Sequence, residues 1–79
     1  MALVSEINRG HKDRQTIHRP TRCLYSIVEG PGEARVVQLD TVGTPDREFA
    51  DKVSQSIQLD RQAAEQLIAI LREAFPGIV

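Results

Sequence analysis

The segment 52–75 constrains the fold most, because it joins a strand pattern directly to a helix pattern. Val53, Ile57 and Leu59 alternate with Ser and Gln, which is the period-two pattern of a half-buried strand. Asp60 follows at once, and an Asp side chain is a preferred N-cap of a helix. Apolar residues then recur at the i, i+3, i+4 spacing of one helix face, namely Ala64, Leu67, Ile68, Leu71 and Phe75. The segment therefore predicts a strand that leads into an amphipathic helix, which ends at a Pro-Gly pair.

Two further strand patterns precede this segment. Residues 21–28 have the pattern of a strand with apolar side chains on both faces. Residues 35–42 have a similar strand pattern, and a Gly-Pro-Gly turn at 30–32 precedes them. This arrangement predicts a β-hairpin. The connection at 43–52 is longer than the loop of an ordinary hairpin, and its large apolar residue, Phe49, is expected to anchor it on the core.

These patterns together predict an α+β fold, with a three- to four-stranded antiparallel sheet and one C-terminal helix packed on one face. The single β-sheet plus helix domain spans 23–79, and a basic N-terminal arm spans 1–22. The arm is expected to be extended, with an edge strand around 15–18 as the alternative. A chain of 79 residues has room for a small core only. We therefore expect a homodimer.

The net charge of −1 hides a strong asymmetry along the chain. Five basic residues stand between positions 9 and 22 against Asp13 alone: Arg9, Lys12, Arg14, Arg19 and Arg22. The rest of the chain is acidic. A basic arm on an acidic body is typical of a contact with nucleic acid or another acidic partner. We predict nucleic-acid binding by these five residues with support from Tyr25 and Arg35, and a solvated tail is the alternative.

Other classes of function find little support in the sequence. The single Cys excludes an internal disulfide and indicates a reducing compartment, and no apolar run suggests a signal peptide or a membrane span. We therefore expect a cytoplasmic protein. The spacing of His11, His18 and Cys23 matches no standard zinc site, and Cys23 is expected to be a small core residue. We predict no cofactor, no metal and no enzymatic activity.

Two resemblances add to this interpretation. The run Ser56-Ile57-Gln58-Leu59-Asp60, with Leu67 and Leu71 downstream, resembles the single-stranded-DNA-binding coactivators called positive cofactor four and their small bacterial relatives. That resemblance implies a curved antiparallel sheet, one C-terminal helix and a dimer that binds single-stranded DNA. The chain departs from the family by lacking a Trp on the helix and basic or aromatic residues in the middle strand. The runs 38–41, 46–47 and 52–60 also resemble small uncharacterised bacterial proteins, which implies no activity.

The main alternative is a protein-interaction or inhibitor module that docks through an exposed sheet edge or through an acidic loop. The acidic residues concerned are Asp40, Asp46, Glu48 and Asp51. The polar side of the last strand, formed by Ser54, Ser56 and Gln58, with Gln38 across the sheet, is a third place where a ligand would find hydrogen bonds. Uncharged polar residues on an outward face need no such explanation, so an ordinary solvated face is the preferred interpretation. Packing of the arm against its own acidic body would count against nucleic-acid binding.

Overall fold

The computed structural model describes residues 1–43 and 52–79. Its elements are β1 (Ala2–Val4), β2 (Cys23–Glu29), β3 (Arg35–Val42), β4 (Val53–Leu59) and α1 (Arg61–Ala74). The four strands form one sheet in the order β1-β4-β3-β2. The predicted α+β class, with one C-terminal helix, is confirmed. Phe49 and the acidic residues Asp46, Glu48 and Asp51 lie outside the described residues.

The predicted hairpin is formed by β2 and β3. The two strands are antiparallel and stay in register from Cys23 opposite Thr41 to Glu29 opposite Arg35. Their turn is closed by a hydrogen bond of 2.9 Å from the Gly30 N–H to the Ala34 carbonyl. Glycine at position 32 suits this turn, because its φ of 67° lies in the left-handed region that other residues rarely adopt.

The strand β4 lies in the interior of the sheet and pairs on both sides. It is antiparallel to β3, with a bulge between Thr41 and Val42. On its other side it pairs with β1 in parallel, with Ala2 opposite Ile57 and Val4 opposite Leu59. The sheet is therefore mixed, whereas the sequence predicts antiparallel pairing throughout. Three residues are too few to show a period, so the sequence gives no signal for β1.

The junction of β4 and α1 is built as the sequence predicts. Asp60 is the N-cap, and its Oδ1 accepts a hydrogen bond of 3.0 Å from the Ala63 N–H. This bond satisfies one of the backbone donors that the first helical turn leaves unpaired. At the other end, the Phe75 N–H donates to the Leu71 carbonyl at 2.9 Å, and Gly77 follows with a φ of 97°.

The core is small for a chain of this length. Among the described residues the buried apolar side chains are Val42, Leu59 and Ala63. The helix contacts the sheet mainly through β4, and Phe75 is 59% exposed. The apolar spacing places Phe75 on the buried face of the helix, and this prediction is wrong because Phe75 follows the last helical turn. The accessible surface is 7380 Å², whereas a compact monomer of this mass exposes about 4,800 Å².

Candidate nucleic-acid interface

The register gives the two sides of the sheet different chemistry. One side, here called the apolar face, carries Tyr25, Ile27, Val37, Leu39 and Ile57. The opposite side, the polar face, carries Ser26, Gln38, Asp40, Ser56 and Gln58. Since α1 leaves the sheet at the end of β4, most of the apolar face is uncovered, and Tyr25 and Ile27 are 74% and 59% exposed.

The basic arm is attached to the body at both ends. At its start, the Ile7 N–H donates to Gln66 Oε1 of the helix at 2.7 Å. At its end, the Thr21 hydroxyl donates to the Val42 carbonyl at 2.6 Å, and the Val42 N–H donates to the Arg22 carbonyl at 3.2 Å. The arm thus passes from the β1 side of the sheet to the β2 side. No local sequence pattern marks Gln66 or Thr21 as an anchor, so both were missed.

Between these anchors the arm is open to solvent. Every residue from Asn8 to Arg22 is exposed, and no strand forms at 15–18, so the alternative of an edge strand there is wrong. Residues 8–22 form no helix or strand, whereas β1, which falls within the expected 1–22 arm, belongs to the sheet.

The charges of the arm fall into two groups. Arg9 forms an ion pair of 3.4 Å with Glu73, and both side chains are largely exposed. Lys12, Arg14 and Arg19 make no hydrogen bond or ion pair with any described residue. Arg22 stands at the junction with β2 and has a partner of its own. Three cationic side chains therefore remain available to an external anion.

Tyr25 and Arg35 occupy different positions relative to the arm. Tyr25 lies on β2 close to the end of the arm, and its exposed ring offers a surface for stacking. Arg35 lies at the hairpin turn, where its Nη2 donates to Glu29 Oε1 at 2.6 Å. The length of β2, about 20 Å, separates this ion pair from the arm. The structure therefore brings Tyr25 near the arm and leaves Arg35 apart from it.

Side chains of the polar face bind one another. Gln58 Nε2 donates to Gln38 Oε1 at 2.9 Å, and Gln38 Nε2 donates to Asp40 Oδ1 at 3.1 Å. The Ser56 hydroxyl donates to the same Asp40 oxygen at 2.5 Å. In the described part of the chain, no buried polar side-chain atom lacks a partner. This network therefore ties β3 to β4 and offers few unpaired groups to a ligand.

A groove of about 740 Å³ lies between the hairpin turn and the start of α1. Most of its charged groups are already engaged, because Arg35 pairs with Glu29, and Arg61 pairs with Glu65 at 2.9 Å. Asp60 caps the helix, and Glu33 is the remaining charged residue of the lining. The Ala63 N–H lowers the pKa of Asp60 most, the Ser5 hydroxyl and the Gln62 N–H lower it further, and burial raises it. The groove therefore has structural contacts and no convergent set of free polar groups.

Reactive and metal-binding side chains are not brought together. Cys23 is a free, exposed cysteine, so the expectation that it is a core residue is wrong. It is the first residue of the outermost strand, β2, whose residues are all exposed. Within residues 1–43 and 52–79, no three His, Cys, Asp or Glu side chains lie close enough to hold a metal ion.

Comparison of the chain with protein-family models, curated proteins and solved structures finds no match. The resemblance to positive cofactor four thus stays a prediction from the sequence. Among the described helices, none has the length and apolar character needed to cross a membrane.

Proposed function

We propose that this protein is a non-enzymatic module that binds single-stranded nucleic acid through its basic arm. The observation that carries the proposal is the group of three exposed cations, Lys12, Arg14 and Arg19, which have no partner among the described residues. Cationic side chains on an exposed segment gain most from neutralising phosphates, because counterions leave the nucleic acid when they bind.

The geometry of the arm supports this proposal. Hydrogen bonds from Ile7 and Thr21 hold its two ends, so less conformational freedom is lost on binding than for a free tail. The Arg9–Glu73 pair lies in solvent, where an ion pair contributes little, so Arg9 can exchange Glu73 for a phosphate. Among residues 1–43 and 52–79, the hydrogen bonds that join the arm to the body lie at its ends, which leaves its centre available.

Tyr25 favours a single strand over a duplex. Its ring is exposed at the edge of the sheet, near the end of the arm. An aromatic ring stacks on a base only when the base is not already stacked within a duplex, and such stacking tolerates any sequence. Arg35 would contribute only if its Glu29 contact were exchanged. We therefore propose Arg9, Lys12, Arg14, Arg19, Arg22 and Tyr25 as the main contacts.

Fluorescence anisotropy with labelled single-stranded and duplex oligonucleotides tests the proposal. Phosphate contacts by Lys12, Arg14 and Arg19 alone predict that binding to a single strand weakens about 20-fold between about 50 and 200 mM salt, and further contacts by Arg9 and Arg22 would increase this loss. The variant Lys12→Gln/Arg14→Gln/Arg19→Gln should bind at least about tenfold more weakly at the lower salt concentration. The matched control Lys52→Gln/Arg61→Gln/Arg72→Gln changes the net charge by the same amount on the body and should bind as the unchanged protein does. Equal losses in both variants, or no binding at low salt by folded protein, would refute the proposal.

A second candidate function is protein–protein association, and we propose that the chain forms a homodimer. The observation that favours it is the small core together with exposed apolar residues on α1 and on the sheet, such as Ile68 and Ile27. We also propose a cytoplasmic location, since a reducing compartment keeps the exposed Cys23 thiol free.

A further inference from the structure

The outermost strand, β2, is open along its whole length. It pairs with β3 on one side only, and all seven of its residues are exposed. Its sequence contains no Lys and no Pro, and no bulge interrupts its pairing with β3. Natural proteins usually protect an edge strand with such features, because a bare edge pairs with other strands. The β2 edge therefore has the properties of an interface.

The hydrogen bonds that flank β2 show which backbone groups face outward. The Gly30–Ala34 and Arg22–Val42 bonds lie at its two ends. Because bonded and non-bonded pairs alternate along an antiparallel ladder, the even-numbered residues of β2 bond to β3. The N–H and carbonyl groups of the odd-numbered residues point away from the sheet, and these residues are Cys23, Tyr25, Ile27 and Glu29.

We propose that a second copy of this chain occupies this edge, with the two β2 strands antiparallel about a two-fold axis at Ser26. In this register Tyr25 lies opposite the partner's Ile27, and Leu24 lies opposite the partner's Val28. The outward N–H and carbonyl groups of both copies then bond to each other along the strand. The two four-stranded sheets become one continuous sheet of eight strands.

The β2 strand is complementary to itself in this register. An axis at Ser26 is the one that pairs all seven residues, and it sets an aromatic side chain beside a β-branched one, a favourable cross-strand pair. Glu29 falls opposite the partner's Cys23, so no two like charges face each other. All seven residues of β2 are exposed, so the whole edge is open to a partner strand.

This inference names the surface of the proposed homodimer and does not depend on nucleic-acid binding. Each basic arm joins β2 at Cys23, so the two arms would lie at opposite ends of the shared strand pair. The interface leaves the cations of the arms uncovered, and Tyr25 is the one residue that both proposals use. Failure of either proposal therefore leaves the other standing.

Sedimentation and disulfide trapping test the interface and its register. The Cα atoms of Ser26 and the partner's Ser26 would be about 4.5 Å apart in a non-hydrogen-bonded pair, a separation that a disulfide can bridge. Ser26→Cys in a Cys23→Ser background should therefore give a covalent dimer under mild oxidation. Ala69→Cys in the same background is the control, because this exposed position lies on the helix. The natural Cys23 thiols would be about 20 Å apart and should not link.

A third variant tests the role of the backbone. Ile27→Pro removes an N–H that points outward and leaves the bonds to β3 in place, so it should weaken dimerisation at least about tenfold. Far-UV circular dichroism shows whether it folds, and if it does not, the Ser26→Cys result decides. A monomer in sedimentation at about 100 µM would overturn the proposal. Linking of Ser26→Cys no faster than Ala69→Cys would overturn it too.

Discussion

The Ile7 backbone N–H donates a hydrogen bond of 2.7 Å to Gln66 Oε1, which joins residues 59 positions apart in the chain. This contact lies where the N-terminal segment leaves β1 and runs beside α1. A second contact extends the same path, because Arg9 forms an ion pair of 3.4 Å with Glu73. The helix therefore contacts the start of the basic arm and also packs against the sheet.

We expect Gln66→Ala to release the start of the arm. Losing one partly buried hydrogen bond should lower the free energy of unfolding by about 1 kcal/mol and should speed proteolysis between residues 8 and 20. Gln66→Glu keeps the accepting oxygen and should behave as the unchanged protein. Limited proteolysis followed by mass spectrometry measures the effect. Equally fast cleavage in Gln62→Ala, which changes an exposed helix residue, would contradict this interpretation.

We expect the Asp60 cap to matter for the helix. Asp60→Ala removes the acceptor of the Ala63 N–H and should lower both the helical signal in circular dichroism and the Tm. Asp60→Asn keeps an accepting oxygen and should retain most of the helix. A Tm of Asp60→Ala equal to that of Asp60→Asn at neutral pH would show that the cap contributes nothing.

The same carboxylate predicts a pH dependence. Contacts with N–H and O–H donors lower the pKa of Asp60 in the folded state below its ordinary value of 3.8. The folded state thus binds this proton less readily than the unfolded state does, so the contribution to stability is present above that value and is lost as the pH falls through the folded pKa. The Tm difference between the unchanged protein and Asp60→Asn should shrink from about pH 7 to about pH 3. An unchanged difference would contradict the assignment.

Leu59 should be the most sensitive large apolar side chain of β4. It is 6% exposed, whereas Ile57 on the same strand and the same face is 41% exposed. Leu59→Ala should lower the free energy of unfolding by about 2–5 kcal/mol, which is enough to unfold a domain with so small a core. Ile57→Ala should cost less than half as much. Urea denaturation measures both, and equal losses would contradict the observed packing.

Ala63 should tolerate no larger side chain. It is completely buried at the start of α1, where the helix meets the sheet. Ala63→Leu should lower the free energy of unfolding by about 1–3 kcal/mol because it forces the helix away from β4. The control Ala69→Leu, on the exposed part of the same helix, should change it by less than about 0.5 kcal/mol. An unchanged free energy of unfolding in Ala63→Leu would mean that the helix packs less closely against β4 than the burial of Ala63 indicates.

The elements with a strong local period were predictable, and those fixed by distant contacts were not. The hairpin, β4, the Asp60 cap and α1 all follow from patterns within a few residues of each other. β1 is three residues long, and its parallel pairing depends on the free side of β4, more than 50 positions away. Phe75 is exposed because it follows the last helical turn, where the helical spacing no longer applies.

The candidate site was predictable in its charges and not in its geometry. Counting residues locates the five cations of the arm, and the structure adds that Lys12, Arg14 and Arg19 lack partners among the described residues. The Glu29 contact of Arg35 spans the hairpin and follows from the register of β2 and β3. The attachments of the arm through Gln66 and Thr21 join residues far apart in sequence, so a local pattern cannot reveal them.

The pairing of β1 with β4 also sets the order in which the chain can fold. Ala2 can pair only after Ile57 is in place, so the chain between these two residues has to close into a loop. Contacts between such distant residues slow folding. During synthesis, which adds about 5–20 residues per second, the hairpin emerges well before β4 and α1. Until β4 emerges, neither the outer edge of β2 nor the outer edge of β3 is paired with another strand. A chain that is still being synthesised is therefore most prone to pair wrongly with other nascent chains on the same mRNA just before β4 emerges.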